Sequence, residues 1–375
     1  MAEIKTINLH KRFTDFVAVR ESNLTVRNGE FFVLLGPSGC GKTTTLRMIA
    51  GLELPTDGQI LLDGEDVTYT RARARDIAFV FQLFALYPHM NVRQNMAFPL
   101  VNEGFPKAEV KQRVEEIAAM LRIDHLLDKS VSGLAGGDRQ RVALGRAIVR
   151  KPKAFLMDEP LGTLDSQFRE LMCLELRRLH DRLGATTVYV THDQSEAMTM
   201  ADTIVVMNKG DVLQADSPDR IYNCPNSIFV GQFIGAPPMN FLTVDSSVAA
   251  QVTSVNVEGV KVNVPRQLVG SNKVVLGIRP EWVSLNHDGG LRGEVQAVEY
   301  LGSHQIVTVK TAAGTVRTRV NKDLQVRLLE STGVNFDPGH CILYDTASEK
   351  LLESEFTAQY TKDRVHGDRE WVSHG

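Results

Sequence analysis

The sequence predicts an α/β layered domain followed by a small all-β domain, on three observations. Strand patterns alternate with helix patterns over roughly the first 235 residues, the mark of a layered α/β fold. From about Phe241 onward, apolar residues recur in period two between glycine turns, with almost no helical spacing. The length of 375 residues also exceeds what one core of ordinary size accommodates.

Each element can be justified in turn. EIKTINL, SNLTV and EFFVLLG read as short strands, with Asn28-Gly29 turning the chain between the last two. GKTTTLRMIAGL reads as a helix, because Leu46, Ile49 and Ala50 fall on one face. GQILLDGEDV reads as a strand and turn at Asp63-Gly64. KAEVKQRVEEIAAMLRI aligns Val110, Val114, Ile117 and Leu121 along one helical stripe. AFLMDEP and TTVYVTH are short apolar runs that end in polar residues, as buried parallel strands do. The period-two segments SVNVEGVKVNVP, KVVLGIRPEWVSL, GEVQAVEYLG, HQIVTVKTAAGTVRTRV and HCILYD then build a barrel or sandwich, with Arg279-Pro280-Glu281 as a structural turn. Pro237-Pro238 breaks the chain between the two textures, which gives domains at 1–236 and 237–352. Residues 353–375 read as a loose polar tail in which Trp371 is the candidate anchor.

Composition narrows the function classes. Apolar residues make up 43% and charged residues 23%, the balance of a globular protein. The net charge is −3, and residues 241–375 hold 14 Lys and Arg against 16 Asp and Glu, so no basic face recommends a nucleic-acid partner. Cys40, Cys173, Cys224 and Cys341 stand at no metal spacing and imply a reducing compartment. The start, MAEIKTINLHKRF, has no apolar signal core, and runs such as FFVLL are far below the roughly 18 residues that span a bilayer. The expectation is a cytoplasmic chain that reaches a membrane through a partner.

The chemistry concentrates in a few stretches. GPSGCGKT, Gly36 to Thr43, matches G-x-x-x-x-G-K-[ST] between an apolar strand and a helix pattern. Glycines let backbone amides converge on a phosphate, Lys42 adds a point charge, and the Thr43 hydroxyl reaches Mg²⁺. KAFLMDEP delivers Asp158 and Glu159 at a strand's carboxyl end, where α/β folds bind ligands. Asp158 suits the Mg²⁺ shell, and Glu159 suits polarising an attacking water. Gln82 and His192 also follow strands and can reach Mg²⁺, the water or a terminal phosphate. Taken singly, each is equally a solvated polar residue. In VSGLAGGDRQRVALGRA, Gly136-Gly137 opens a helix, where unpaired amides attract phosphate. Ala135 and Asp138 flank the pair, so the stretch is a phosphate site, a weakened one, or a helix cap.

Together these segments resemble the nucleotide-binding subunit of an ATP-binding-cassette (ABC) transporter over about residues 3–350. The phosphate loop, the Gln82 loop, the signature at 134–138, the LMDEP strand, the LGTLD loop at 161–165 and the His192 switch stand in the family's order. GPSGCGKTT, ALYPHMNVRQNMAFPL and YVTHDQSEAMTMAD are similar to the maltose-type importer ATPases, which serve sugars, polyols and glycerol phosphates. The resemblance implies a P-loop NTPase cassette, with a RecA-like core and a helical subdomain at about 88–150, followed by an all-β OB-like regulatory domain. It implies ATP and Mg²⁺ as ligands, with ATP held by Gly36, Pro37, Ser38, Gly39, Cys40, Gly41, Lys42, Thr43 and Thr44 and by Phe13 stacked on adenine. Mg²⁺ falls to Thr43, Gln82 and Asp158, and catalysis to Glu159, His192 and Gln82. Asp165 falls on the loop that crosses between two cassettes, and Leu83, Phe84, Tyr87 and Met96 fall where permeases dock.

In the family the signature reads Leu-Ser-Gly-Gly-Gln and completes the ATP site of the opposite subunit. Here Ala135 and Asp138 replace the serine and the glutamine, and Gly162-Thr163 replaces the usual small polar pair before Leu164-Asp165. One hydrogen bond to a charged group is lost, worth roughly 1.5–3 kcal/mol. Asp138 also suits the positive end of its own helix. The implied partners are a second ABC ATPase, as homodimer or heterodimer, two transmembrane permeases and an extracytoplasmic solute-binding protein, with no nucleic acid. The implied place is the cytoplasmic face of the inner or plasma membrane. The alternative is a soluble ABC-type ATPase uncoupled from transport, although the long coiled-coil insertions of such proteins are lacking here.

Overall fold

The run Phe31–Leu35 is apolar and buried at every position, which a strand tolerates only with both faces covered. Ala154–Asp158 and Thr186–Thr191 are likewise buried at every position, although Asp158, Thr186, Thr187 and Thr191 are polar. The computed structural model describes residues 2–82, 85–162, 164–286 and 289–362. They form two compact units, 1–218 and 219–375.

The first unit runs β1 (Ile4–Arg12), β2 (Val17–Val26), β3 (Phe31–Leu35), α1 (Lys42–Ala50), β4 (Asp57–Leu62), β5 (Glu65–Asp66), β6 (Ile77–Val80), α2 (Val92–Asn102), α3 (Lys107–Met120), α4 (Gly136–Ile148), β7 (Ala154–Asp158), α5 (Ser166–Leu183), β8 (Thr186–Thr191), α6 (Gln194–Met200), β9 (Thr203–Asn208) and β10 (Asp211–Asp216). Its main sheet has the order β10-β9-β3-β8-β7-β6. All neighbours are parallel except the β9–β10 hairpin. A second, antiparallel sheet has the order β2-β1-β4-β5. Between β6 and β7 lie the helices α2, α3 and α4. There α2 begins with a reciprocal cap, in which the Asn91 side chain accepts from the Gln94 amide and Gln94 answers the Asn91 amide.

The second unit opens with short helices, α7 (Pro218–Asn223) and α8 (Ile228–Phe233), and continues as β11 (Asn240–Thr243), β12 (Ser254–Val257), β13 (Val260–Asn263), β14 (Val274–Ile278), β15 (Val283–Asn286), β16 (Leu291–Tyr300), β17 (His304–Thr311), β18 (Gly314–Asn321), β19 (Ser331–Phe336), β20 (Ile342–Asp345) and α9 (Glu355–Lys362). Every ladder among them is antiparallel, in sheets ordered β11-β14-β20, β12-β13 and β15-β19-β16-β17-β18. One cluster of mostly valine and leucine side chains from all three sheets forms the core.

Two boundaries differ from the sequence reading. The compact units divide near 218 rather than at 236, because buried Arg279 ties the two short helices to the β unit. Its guanidinium donates to the carbonyls of Tyr222 (2.7 Å), Gly231 (3.2 Å) and Ile234, and lies over the Tyr222 ring. Composition detects the change of texture but not this tertiary clasp. The start of the polar tail is also ordered into α9, with Phe356 packed on the Met239–Ile342–Tyr344 cluster and edge-on to His340. Trp371 lies outside the described residues.

Candidate active site

Four neighbouring strands, β3, β8, β7 and β6, run parallel, so their carboxyl ends open on one edge of the sheet. Each end carries one of the motifs read from sequence. β3 leads into Gly36–Thr43, β8 into His192, β7 ends at Asp158 and Glu159, and β6 is followed by Gln82. Residues 36 to 192 in the chain thus come together through topology, at the edge where open α/β sheets bind ligands.

The loop before α1 is shaped by backbone. Gly41 has φ 106°, and a Cβ there would stand 2.3 Å from the Ala18 carbonyl oxygen, so only glycine fits. Buried Lys42 turns its ammonium back into the loop, donating to the carbonyls of Gly36 at 2.7 Å and Pro37 at 3.0 Å. Ser38 and Gly39 are exposed, Pro37, Thr43 and Thr44 are half-buried, and Cys40 is buried beneath the loop. Leaving the loop, α1 has no side-chain cap, so its first amides face the site.

The acidic side is a set of oxygens. Thr43 Oγ1 donates to Asp158 Oδ1 at 2.8 Å, and burial pushes the Asp158 carboxyl up while that bond opposes the shift. No described group of three His, Cys, Asp or Glu side chains is placed to hold a metal. A hydroxyl beside a carboxylate is nevertheless the donor pair Mg²⁺ accepts when phosphates and waters complete its shell. Beside Asp158, Glu159 sits at φ 45°, a left-handed backbone rare for a long side chain. Its amide donates to the Val190 carbonyl at 3.0 Å, and its carbonyl accepts from the Gly162 amide at 3.2 Å. Glu159 Oε2 then receives Gln82 Nε2 at 3.2 Å and faces His192 Nδ1 at 3.3 Å. One carboxylate therefore gathers the polar residues from the ends of β6 and β8.

The signature and crossing segments meet elsewhere. Ala135 is the N-cap of α4 and gives no side-chain cap, so the helix opens on bare amides at Gly136 and Gly137. A Cβ on Gly137 would enter the Phe168 ring at 2.0 Å, whereas one on Gly136 would meet Leu164 at an ordinary 3.6 Å. Asp138 lies 3.6 Å from Arg141 Nη1, and Arg141 also reaches Glu175 at 3.3 Å and lies over the Phe168 ring. Asp165 caps α5, accepting from the Phe168 amide at 3.0 Å. Thr163 lies outside the described residues.

The remaining expectations divide. Phe13 is half-buried on the turn between β1 and β2, with its ring 5.3 Å from Phe16 and 4.8 Å from Lys11 Nζ. Leu83 and Phe84 lie outside the described residues. Tyr87 is half-buried, 4.5 Å from the Phe98 ring with the Arg146 guanidinium over it. Met96 is a correction: it is fully buried, and its methyl fills the space above Gly145 on α4, so it offers no docking surface. Apolar composition could not reveal which face of α2 turns inward.

Sequence reasoning missed the supports behind His192. Asp193 caps α6, accepting from Ser195 and Glu196, and buried Glu196 accepts from Tyr189 at 2.8 Å and Thr191 at 2.7 Å. The Asp-x-x-Glu spacing at 193–196 was the available signal. Nothing local pointed to Arg169, which reaches Asp193 at 2.9 Å.

Comparison with known proteins bears on the family and the fold. Residues 19–162 match the pattern described as ABC transporter, residues 235–283 that described as MalK OB fold domain, and residues 276–343 that described as TOBE domain. The chain is 45% identical to the trehalose/maltose import ATP-binding protein MalK of Thermococcus litoralis, over 94% of this chain and all of that protein. It is 42% identical to sn-glycerol-3-phosphate import ATP-binding protein UgpC 2 of Agrobacterium fabrum, over 97% of this chain and 98% of that protein. Among solved structures, cbiO1 from Clostridium perfringens, part of the transporter complex cbiONQ, aligns with TM-score 0.55 at 29% identity over 58% of this chain and 89% of that one. The cassette MJ0796, a dimer bound to ADP and Pi, aligns with TM-score 0.52 at 30% identity over 57% and 98%.

Proposed function

Because the chain belongs to the family of ABC importer ATP-binding subunits, which are ATPases, we propose that it powers uptake of a sugar, polyol or glycerol-phosphate-type solute through two partner permeases. In this reading the subunit sits on the cytoplasmic face of the membrane, held there by the permeases; no described helix is long and apolar enough to cross. An extracytoplasmic binding protein delivers the solute. The observation that carries the reading is the convergence of Gln82 and His192 on Glu159 beside the Lys42 loop.

In this reading the loop amides and Lys42 hold the phosphates of ATP, and Phe13 stacks on adenine. Thr43 and Asp158, with Gln82, would hold Mg²⁺, which when bound would neutralise charge that develops on the phosphates. Glu159 orients the attacking water and accepts its proton, and His192 contacts the terminal phosphate. Asp165 and the Gly136-Gly137 amides serve the nucleotide of a second cassette. The test is reconstitution of the chain with its neighbouring permeases in vesicles, offering maltose, trehalose and glycerol 3-phosphate with the cognate binding protein. ATP-dependent uptake of one of them is expected. ATP hydrolysis by the chain with no permease association and no uptake returns the uncoupled ATPase.

A second reading concerns the partner. The departures from the family pattern, Ala135, Asp138 and Gly162-Thr163, cluster in the surface lent to another subunit. This favours a heterodimer in which a related ATPase supplies the missing serine. Brisk, cooperative hydrolysis by this chain as the sole ATPase with its permeases would overturn it.

A further inference from the structure

Arg169, on the first turn of α5, lies in neither the phosphate loop nor the signature, yet it touches both segments that flank the reacting residues. Its Nη2 donates to the Leu164 carbonyl at 2.8 Å, one residue before Asp165. Its Nη1 donates to Asp193 Oδ2 at 2.9 Å, one residue after His192. Its Nε makes no hydrogen bond and faces Glu196 Oε1 at 3.6 Å.

Those acceptors are themselves fixed. The Glu196 carboxylate is held by Tyr189 and Thr191 of β8, and Thr191 Oγ1 also receives the Asp193 amide at 2.9 Å. On the other side, Gly162 donates to the Glu159 carbonyl and Leu164 to the Leu161 carbonyl, which ties the described ends of the crossing loop back toward Glu159. The contacts close a ring: Glu159, the turns to Leu164, Arg169, Asp193, His192, and back to Glu159 Oε2.

The geometry points to Arg169 as a positioning residue that couples the crossing loop to His192, so that a second cassette engaging Asp165 sets His192 against Glu159. A guanidinium suits this work because its planar fork serves several acceptors at fixed angles, which an ammonium cannot do. The inference rests on the reading that Glu159 and His192 carry hydrolysis.

The test uses the full chain assembled with its permeases. Arg169→Met keeps the stem and removes the fork. The expectation is a fall in kcat of roughly 10–100-fold, the scale of a misplaced reacting group, with the ATP concentration for half-maximal rate unchanged. Arg169→Lys should recover part of the rate. In single-turnover phosphate release, adding Arg169→Met to His192→Ala should cause no further loss, because the ring is already open at His192. Asp193→Asn opens the same link from the other end and can still cap α6, so it gives the same readings should Arg169→Met not fold. Glu159→Gln is run alongside. Normal turnover in Glu159→Gln removes the site reading itself. Loss in Glu159→Gln with wild-type kcat in Arg169→Met and Asp193→Asn overturns the ring alone, as does a loss that multiplies in full on His192→Ala.

Discussion

In the proposed reading, the part of the cassette that would receive nucleotide and the part it would lend to a neighbour are built differently. The receiving half is dense with side chains: Lys42, Thr43, Asp158, Glu159, Gln82 and His192 are each held by a named partner. The lending half is mostly backbone, with two glycines at a helix start, an alanine at the cap, and Asp165 turned inward to its own helix. The difference teaches where change is tolerated. Amides survive substitution of their neighbours, whereas a proton acceptor that is a single carboxylate, the role proposed for Glu159, would not.

The strongest way to break this comparison is Glu159→Gln. Proton transfer by a placed base contributes about 10²–10⁴-fold, so phosphate release should fall by that much while equilibrium ATP binding persists. Undiminished release would leave the receiving half without its centre. Next comes the contrast between Gly41→Ala and Gly137→Ala. The first drives a Cβ into the Ala18 carbonyl at a φ of 106° and should destabilise the unit by about 1–3 kcal/mol and abolish measurable ATP binding. The second meets the half-buried Phe168 ring, which can swing, and should lower thermal stability by about 1 kcal/mol or less while ATP binding to its own loop is kept. Equal damage in both would erase the distinction.

Ala135→Ser sharpens the comparison from the other side. Restoring a hydrogen bond worth roughly 1.5 kcal/mol or more should raise turnover of a homodimeric assembly about tenfold. An unchanged rate, measured beside a related ATPase that already carries the serine, would favour the heterodimer. The smallest effect belongs to Asp138→Asn. The 3.6 Å pair with Arg141 and the helix start together account for about 0.3–1 kcal/mol, lost progressively with added salt. Thermal unfolding at low and high ionic strength reads it.

What the sequence revealed follows from the range of each signal. The ends of β3, β7 and β8 were legible because an apolar run meeting polar residues is a local event, and local spacing also exposed α1, α3 and the β texture after Phe241. The inward face of α2 was not legible, because VRQNMAFPLVN is nearly uniform around its circumference and only packing on α4 decides that Met96 goes inside. The clasp of Arg279 and the ring through Arg169 were invisible for a related reason: each joins segments tens of residues apart, and an arginine in sequence carries no mark of what its fork will hold.

Phe168 has a consequence for how two cassettes would meet under the proposed reading. Its amide is taken by Asp165, its ring lies beneath Gly137, and Arg141 covers it, so a single aromatic residue underlies both segments that a neighbour's ATP would encounter. If that shared support holds through docking, engagement of a second subunit is expected to register with a single relaxation time, and a resolved half-engaged species would show that Phe168 does not link the two segments.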